Sequence, residues 1–123
     1  MANEITILTQ MSRQHATKTG DNHTTGLRRI SVTQSATGQD DRKHSIGTSE
    51  ESITLTDIAT NGWCMMINDD ATNYVEWGFS TGVYGGRMRA GETAGPFRLN
   101  AGATLYLKAN TATCKVRVAA YED

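Results

Sequence analysis

Helix is what this sequence lacks most. No segment holds a 3.6-residue apolar period, which excludes a helical bundle. No apolar run approaches the roughly 18 residues of a membrane-crossing helix. The opening Met1-Ala2-Asn3-Glu4 has neither the basic nor the apolar region of a secretion signal, so synthesis and folding in a cytoplasm are expected. An excess of one charge is missing too: 12 Lys and Arg face 13 Asp and Glu, a net charge of −1. A nucleic-acid backbone needs a basic face, and pairs such as Arg28-Arg29 and Arg42-Lys43 read as solvated surface. There are only two cysteines, Cys64 and Cys114; both fall in apolar strands and are expected as buried thiols.

Thr makes up about one residue in seven, and such β-branched side chains favour a pleated, half-buried surface. Gly, Asn and Asp punctuate short apolar runs. A first strand is expected over Glu4–Met11, with Ile5, Ile7 and Met11 on one side. Ser12–Gly26 offers almost nothing to bury and reads as a long loop or arm. Leu27, Ile30 and Val32 open a second strand, and Arg42–Thr48 reads as an edge strand around Ile46. Ser52–Thr56 places Ile53 and Leu55 inward. Gly62–Asn68 is apolar on both faces, which suits a central strand. Val75, Trp77 and Phe79 share one face of the next strand. Cys114, Val116, Val118 and Ala120 alternate with Lys115, Arg117 and Tyr121 in the last.

The pattern predicts an all-β fold, an antiparallel β-sandwich of jelly-roll type. Residues 1–123 are expected to form one sandwich domain, with 10–26 an extended polar arm or long loop.

Residues that carry chemistry are hard to find. There is no Gly-x-Ser-x-Gly elbow, and the Gly-rich stretch Gly78–Gly86 lacks the Gly-Lys-Ser/Thr ending of a phosphate loop. His15 and His23 lie eight apart with only Asp21 nearby, short of a zinc set. Asp69-Asp70 lacks the alternating oxygen ligands of a calcium loop and reads as turn chemistry. Glu50-Glu51 reads as solvated edge protection. No catalytic residue, cofactor site or metal site is assigned, and a non-enzymatic protein is expected.

From Asp57 onward a likeness emerges. Asp57-Ile58, Gly62 and the string Asn68-x-Asp70-Ala71-Thr72-Asn73-Tyr74-Val75-Glu76-x-Gly78 resemble small structural proteins encoded by tailed bacteriophages. Ala90-Gly91-Glu92, Arg98-Leu99 and Leu105–Ala112 are similar too, as is the opening Met1–Ile5. The likeness covers about the C-terminal two thirds, while Ser12–Gly26 and Gly85-Gly86 depart from it. The resemblance implies a virion component, a head decoration or cement protein on the capsid surface. Its partners would be the major capsid protein and copies of itself, a trimer being one form. No nucleic acid, membrane or small-molecule substrate is expected. The arm and the loops around Asp69 and Gly85 are the expected contacts, through His15, Lys18, Asp21, His23, Arg28, Asp69, Asp70, Tyr84 and Arg87. Two alternatives stand beside this reading: a tail, adaptor or fibre component, and a carbohydrate-binding sandwich using Trp63, Trp77, Tyr74, Tyr84 or Tyr106.

Overall fold

The computed structural model describes residues 3–14, 16, 17, 20 and 22–123. Among these the structure is all-β, with twelve strands and no α-helix. The chain divides into two compact units, Met1–Gln34 and Ser35–Asp123.

The first unit is a long antiparallel ribbon. Strand β1 (Asn3–Thr9) pairs with β4 (Arg28–Gln34) in an unbroken seven-residue register, Ile5 opposite Val32 and Ile7 opposite Ile30. The short strands β2 (Ser12–Arg13) and β3 (His23–Thr24) continue the ribbon towards its tip. Between the two pieces, threonine hydroxyls fill the gaps in the ladder. Thr25 Oγ1 accepts the Met11 N–H at 2.9 Å, and Thr24 Oγ1 accepts both the Gly26 N–H and the Gln10 amide. The polar stretch Ser12–Gly26 thus contains ladder as well as loop. Met11, expected inward, is 75% exposed because β1 ends at Thr9 and Met11 lies in this gap.

All eight strands of the sandwich come from the second unit. They are β5 (Gln39–Ile46), β6 (Glu51–Ile53), β7 (Asn61–Asn68), β8 (Val75–Gly78), β9 (Gly86–Met88), β10 (Thr93–Arg98), β11 (Leu105–Ala109) and β12 (Cys114–Glu122). Their pairing is nested: β8 with β9, β7 with β10, β6 with β11 and β5 with β12, all antiparallel. Pairing of β12 with β7 and of β11 with β8 then folds this long hairpin over itself. Two four-stranded sheets result, in the orders β10-β7-β12-β5 and β6-β11-β8-β9.

One apolar cluster draws on both sheets. Ile46, Cys64, Met66, Val116 and Val118 of the first meet Ile53, Val75, Met88, Leu105 and Leu107 of the second. Full burial of each large aliphatic contributes roughly 1.5–3 kcal/mol. Strand β12 buries alternate residues as expected, and β7 does the same. The outer side of β7, with Trp63, Met65 and Ile67, is half-buried rather than buried.

The two long sides of the sandwich are closed differently. On the β5–β6 side Asp40 is 1% exposed and takes two bonds from Arg42, at 2.9 and 2.6 Å. Arg42 also reaches Thr56 and Asp57, at 2.5 and 3.3 Å. The edge strand expected from Arg42 begins earlier, at Gln39, and its alternation through Asp40, Arg42, His44 and Ile46 puts Asp40 inside. On the β9–β10 side Trp77 stacks on Phe97, with centroids 5.6 Å apart and planes within 3°. Phe79 meets both rings edge-on, at 5.8 and 6.0 Å. Phe79 is nonetheless 49% exposed, not core, because β8 ends at Gly78 and the alternation ends with it.

Candidate functional site

Cross-strand register gathers polar and aromatic side chains on the outer face of the β6-β11-β8-β9 sheet. One row runs Lys108, Glu76, Arg87 and the next runs Ser52, Tyr106, Gly78. The segment after β8 turns sharply, bridging Ser80 to Val83, and doubles back over Gly78. A Cβ at Gly78 would lie 2.1 Å from the Val83 carbonyl oxygen, so only glycine admits this crossing. The return carries Tyr84 to Glu50, whose carboxylate accepts the Tyr84 hydroxyl and, at 2.6 Å, the Gly82 N–H. These two donors hold the Glu50 carboxyl below its usual range. The same bond to Glu50 pushes the Tyr84 hydroxyl up to about 12. Glu50 is therefore a clamp on this segment rather than a solvated edge charge. Arg87 lies over the Tyr74 ring, 4.1 Å from its centroid, a cation–π contact.

The turn after β7 is built on Asn68, a buried side chain. Its amide donates to the carbonyls of Asn73, Met88 and Arg89, and its Oδ1 accepts the Asp70 N–H. Asp70 Oδ1 takes the N–H groups of Asn73 and Thr72 at 2.6 and 2.8 Å, which holds its carboxyl below the ordinary range. Asp69 pairs with Lys43 at 3.2 Å. Both carboxylates have local partners.

The sequence-expected contact residues therefore fall in three places. Tyr84 and Arg87 belong to the outer face of one sheet, and Asp69 and Asp70 to the turn after β7. His23 and Arg28 are exposed on the ribbon, His23 opposite Arg13 and Arg28 opposite Thr9. His23 and Arg13 line a shallow open depression with Ser12, Gln14, Asn22 and Thr24. His15, Lys18 and Asp21 lie outside the described residues.

No family model, curated protein or solved structure matches the chain. Its surface chemistry is thus read from its own side chains. Among the described residues no three His, Cys, Asp or Glu are placed to hold a metal ion. Cys64 and Cys114 are free, buried thiols, and burial pushes Cys64 up to about 12, far from a reactive thiolate. Trp77 is a poor sugar platform: Phe97 covers one side, and a Cβ on Gly86 would lie 2.1 Å from the ring.

Sequence reasoning missed the exposed apolar side chains. Leu8, Met11 and Leu27 are 56%, 75% and 68% exposed on the ribbon. Phe79 and Val83 are exposed beside Trp77, where with Gly78, Ser80 and Gly85 they line an apolar depression. A contiguous exposed apolar surface such as the one beside Trp77 marks a contact surface better than isolated charges do. Nothing in the local alternation distinguishes these exposed apolar side chains from core residues.

Proposed function

We propose that this chain is a structural protein of a tailed-bacteriophage virion: a non-catalytic head decoration protein that binds the major capsid protein, and copies of itself, on the capsid surface. In this reading the second unit is a jelly roll. Its nested pairing, folded into the orders β10-β7-β12-β5 and β6-β11-β8-β9, supports that reading. The arm of this reading is the 10–26 segment, in which the short strands β2 and β3 lie.

One observation carries the reading. The candidate polar side chains of the sandwich already have partners, while the large exposed apolar side chains concentrate on the ribbon and beside Trp77. Such a surface is suited to shape-matched contact with another protein.

The test is co-sedimentation of the purified chain with undecorated heads, followed by electron microscopy of the pellet. Saturable binding at regular capsid positions is expected. Binding to tails or host cells but not heads would replace the decoration role with a tail, adaptor or fibre role.

A further inference from the structure

Every edge strand of the sandwich carries a device that discourages pairing with another chain. β6 and β9 are three residues long. β10 contains Pro96 and a register shift between Ala94 and Phe97. β5 has the run Asp40-Asp41-Arg42-Lys43. Short strands, bulges, proline and charge are the recognised protections of sheet edges. β1 has none of them: it is seven residues long, regular, free of proline, and charged only at Glu4. Among the described residues it pairs with β4 alone, leaving its other edge open. Ile5 and Ile7 of β1 are already buried, at 6% and 5% exposure, so what β1 offers a partner is its backbone edge.

We propose that β1 is a dimerisation edge, pairing antiparallel with β1 of a second copy about a two-fold axis at Thr6. This does not depend on the virion reading. The occupant is identified by self-complementarity, since Ile5-Thr6-Ile7 reads the same in both directions. With Thr6 opposite Thr6, Ile5 of each copy faces Ile7 of the other, and Glu4 faces Leu8 rather than a second Glu4. The known register of β4 then extends each row. One face acquires the row Val32, Ile5, Ile7, Ile30 twice, related by the axis, a continuous sheet of β-branched side chains. The other face carries Ser31, Thr6, Thr6, Ser31. It also carries Thr33, Glu4, Leu8, Arg29, so Arg29 of the second copy brings a positive charge to the row of Glu4. β4 is the poorer candidate because Arg28 and Arg29 stand on it side by side. The interface is isologous and closes at two copies.

The experiment uses the full chain in sedimentation velocity. The wild type is expected to show a concentration-dependent dimer. Thr6→Lys sets two ammonium groups face to face and should weaken association by roughly tenfold. Mixing Thr6→Lys with Thr6→Glu should restore it, while Thr33→Lys on β4 should leave it unchanged. Register is read by mild oxidation: Thr6→Cys should cross-link through its own symmetry mate, and Leu8→Cys, facing Glu4, should not. Cys64 and Cys114 are buried, so the wild type supplies the background. A wild type monomeric at all concentrations, or a Thr6→Lys variant that dimerises as well as wild type, overturns the proposal. Equal cross-linking of the two cysteine variants overturns the register.

Discussion

On the β5–β6 side of the sandwich the sheets are closed by a buried carboxylate and a guanidinium; on the β9–β10 side they are closed by three aromatic rings. Both solve the same problem, since a sandwich that is not a barrel leaves its core accessible along its sides. The solutions have different physics. Asp40 and Arg42 form directed, charge-assisted bonds that fix where Thr56 and Asp57 sit, and that depend on protonation. The rings contribute area and stacking, which protonation does not touch. They also leave apolar surface showing at Phe79 and Val83, whereas the ionic side ends in groups that water solvates readily.

Breaking the aromatic side should have the larger effect. Trp77→Ala removes the ring between Phe97 and Gly86 and should destabilise by about 3 kcal/mol, read from urea unfolding. Breaking the ionic side should cost less. Asp40→Ala removes the acceptor of two Arg42 bonds and of the part-buried Asp57 N–H and should cost about 1–3 kcal/mol by the same measurement.

Acid should separate the two sides further. Burial alone would raise Asp40, but the bonds from Arg42 and Asp57 outweigh it and hold the carboxyl below its usual 3.8. The unfolded chain therefore binds the proton first. Asp40's contribution is complete above the ordinary carboxylate range and is lost as pH falls through its lower folded value. His44, on the same strand, is pushed below 6.5 by burial and by Arg42, so the folded state favours its neutral form. Its contribution likewise declines on acidification, in a window beginning near 6.5. Unfolding of Trp77→Ala should keep this pH dependence, while Asp40→Ala should lose Asp40's share of the acidic part, the lowered Asp41, Glu50 and Asp70 carboxyls keeping the rest. The smallest change is expected at Arg117. Its bidentate pair with Asp41 is solvent-exposed, and Arg117→Ala should shift the urea midpoint within experimental error.

Alternation made the centre of the fold legible. Cys114, Val116, Val118 and Ala120 all lie inward on β12, and Leu105 and Leu107 do so on β11. Asp40 was illegible because a carboxylate is buried only when a partner arrives. Its partners include Thr56 and Asp57, which approach only through packing of the β5–β6 side. Phe79 misled because alternation holds only while the strand lasts, and Gly78 ends it. The candidate surface was less legible still. Glu50 and Tyr84 are separated by 34 residues and meet only because the chain doubles back over Gly78. The β2–β3 part of the ribbon was obscured by its polarity, since hydroxyl-to-backbone bonds at Thr24 and Thr25 support the ladder there.

Nesting of the strands has a consequence for synthesis. β12 is the last of the sandwich strands in chain order, yet it occupies an inner position of its sheet, between β7 and β5. While residues 114–122 are still in the ribosome, β7 and β5 have no neighbour to join them, and the cluster lacks Cys114, Val116, Val118 and Ala120. A vectorially emerging chain can form the inner hairpin of β8 and β9 early, but must wait for its outermost pair, β5 with β12. With its longest loop closed last, the sandwich belongs among slow-folding β topologies and completes itself only after the whole unit has cleared the exit tunnel.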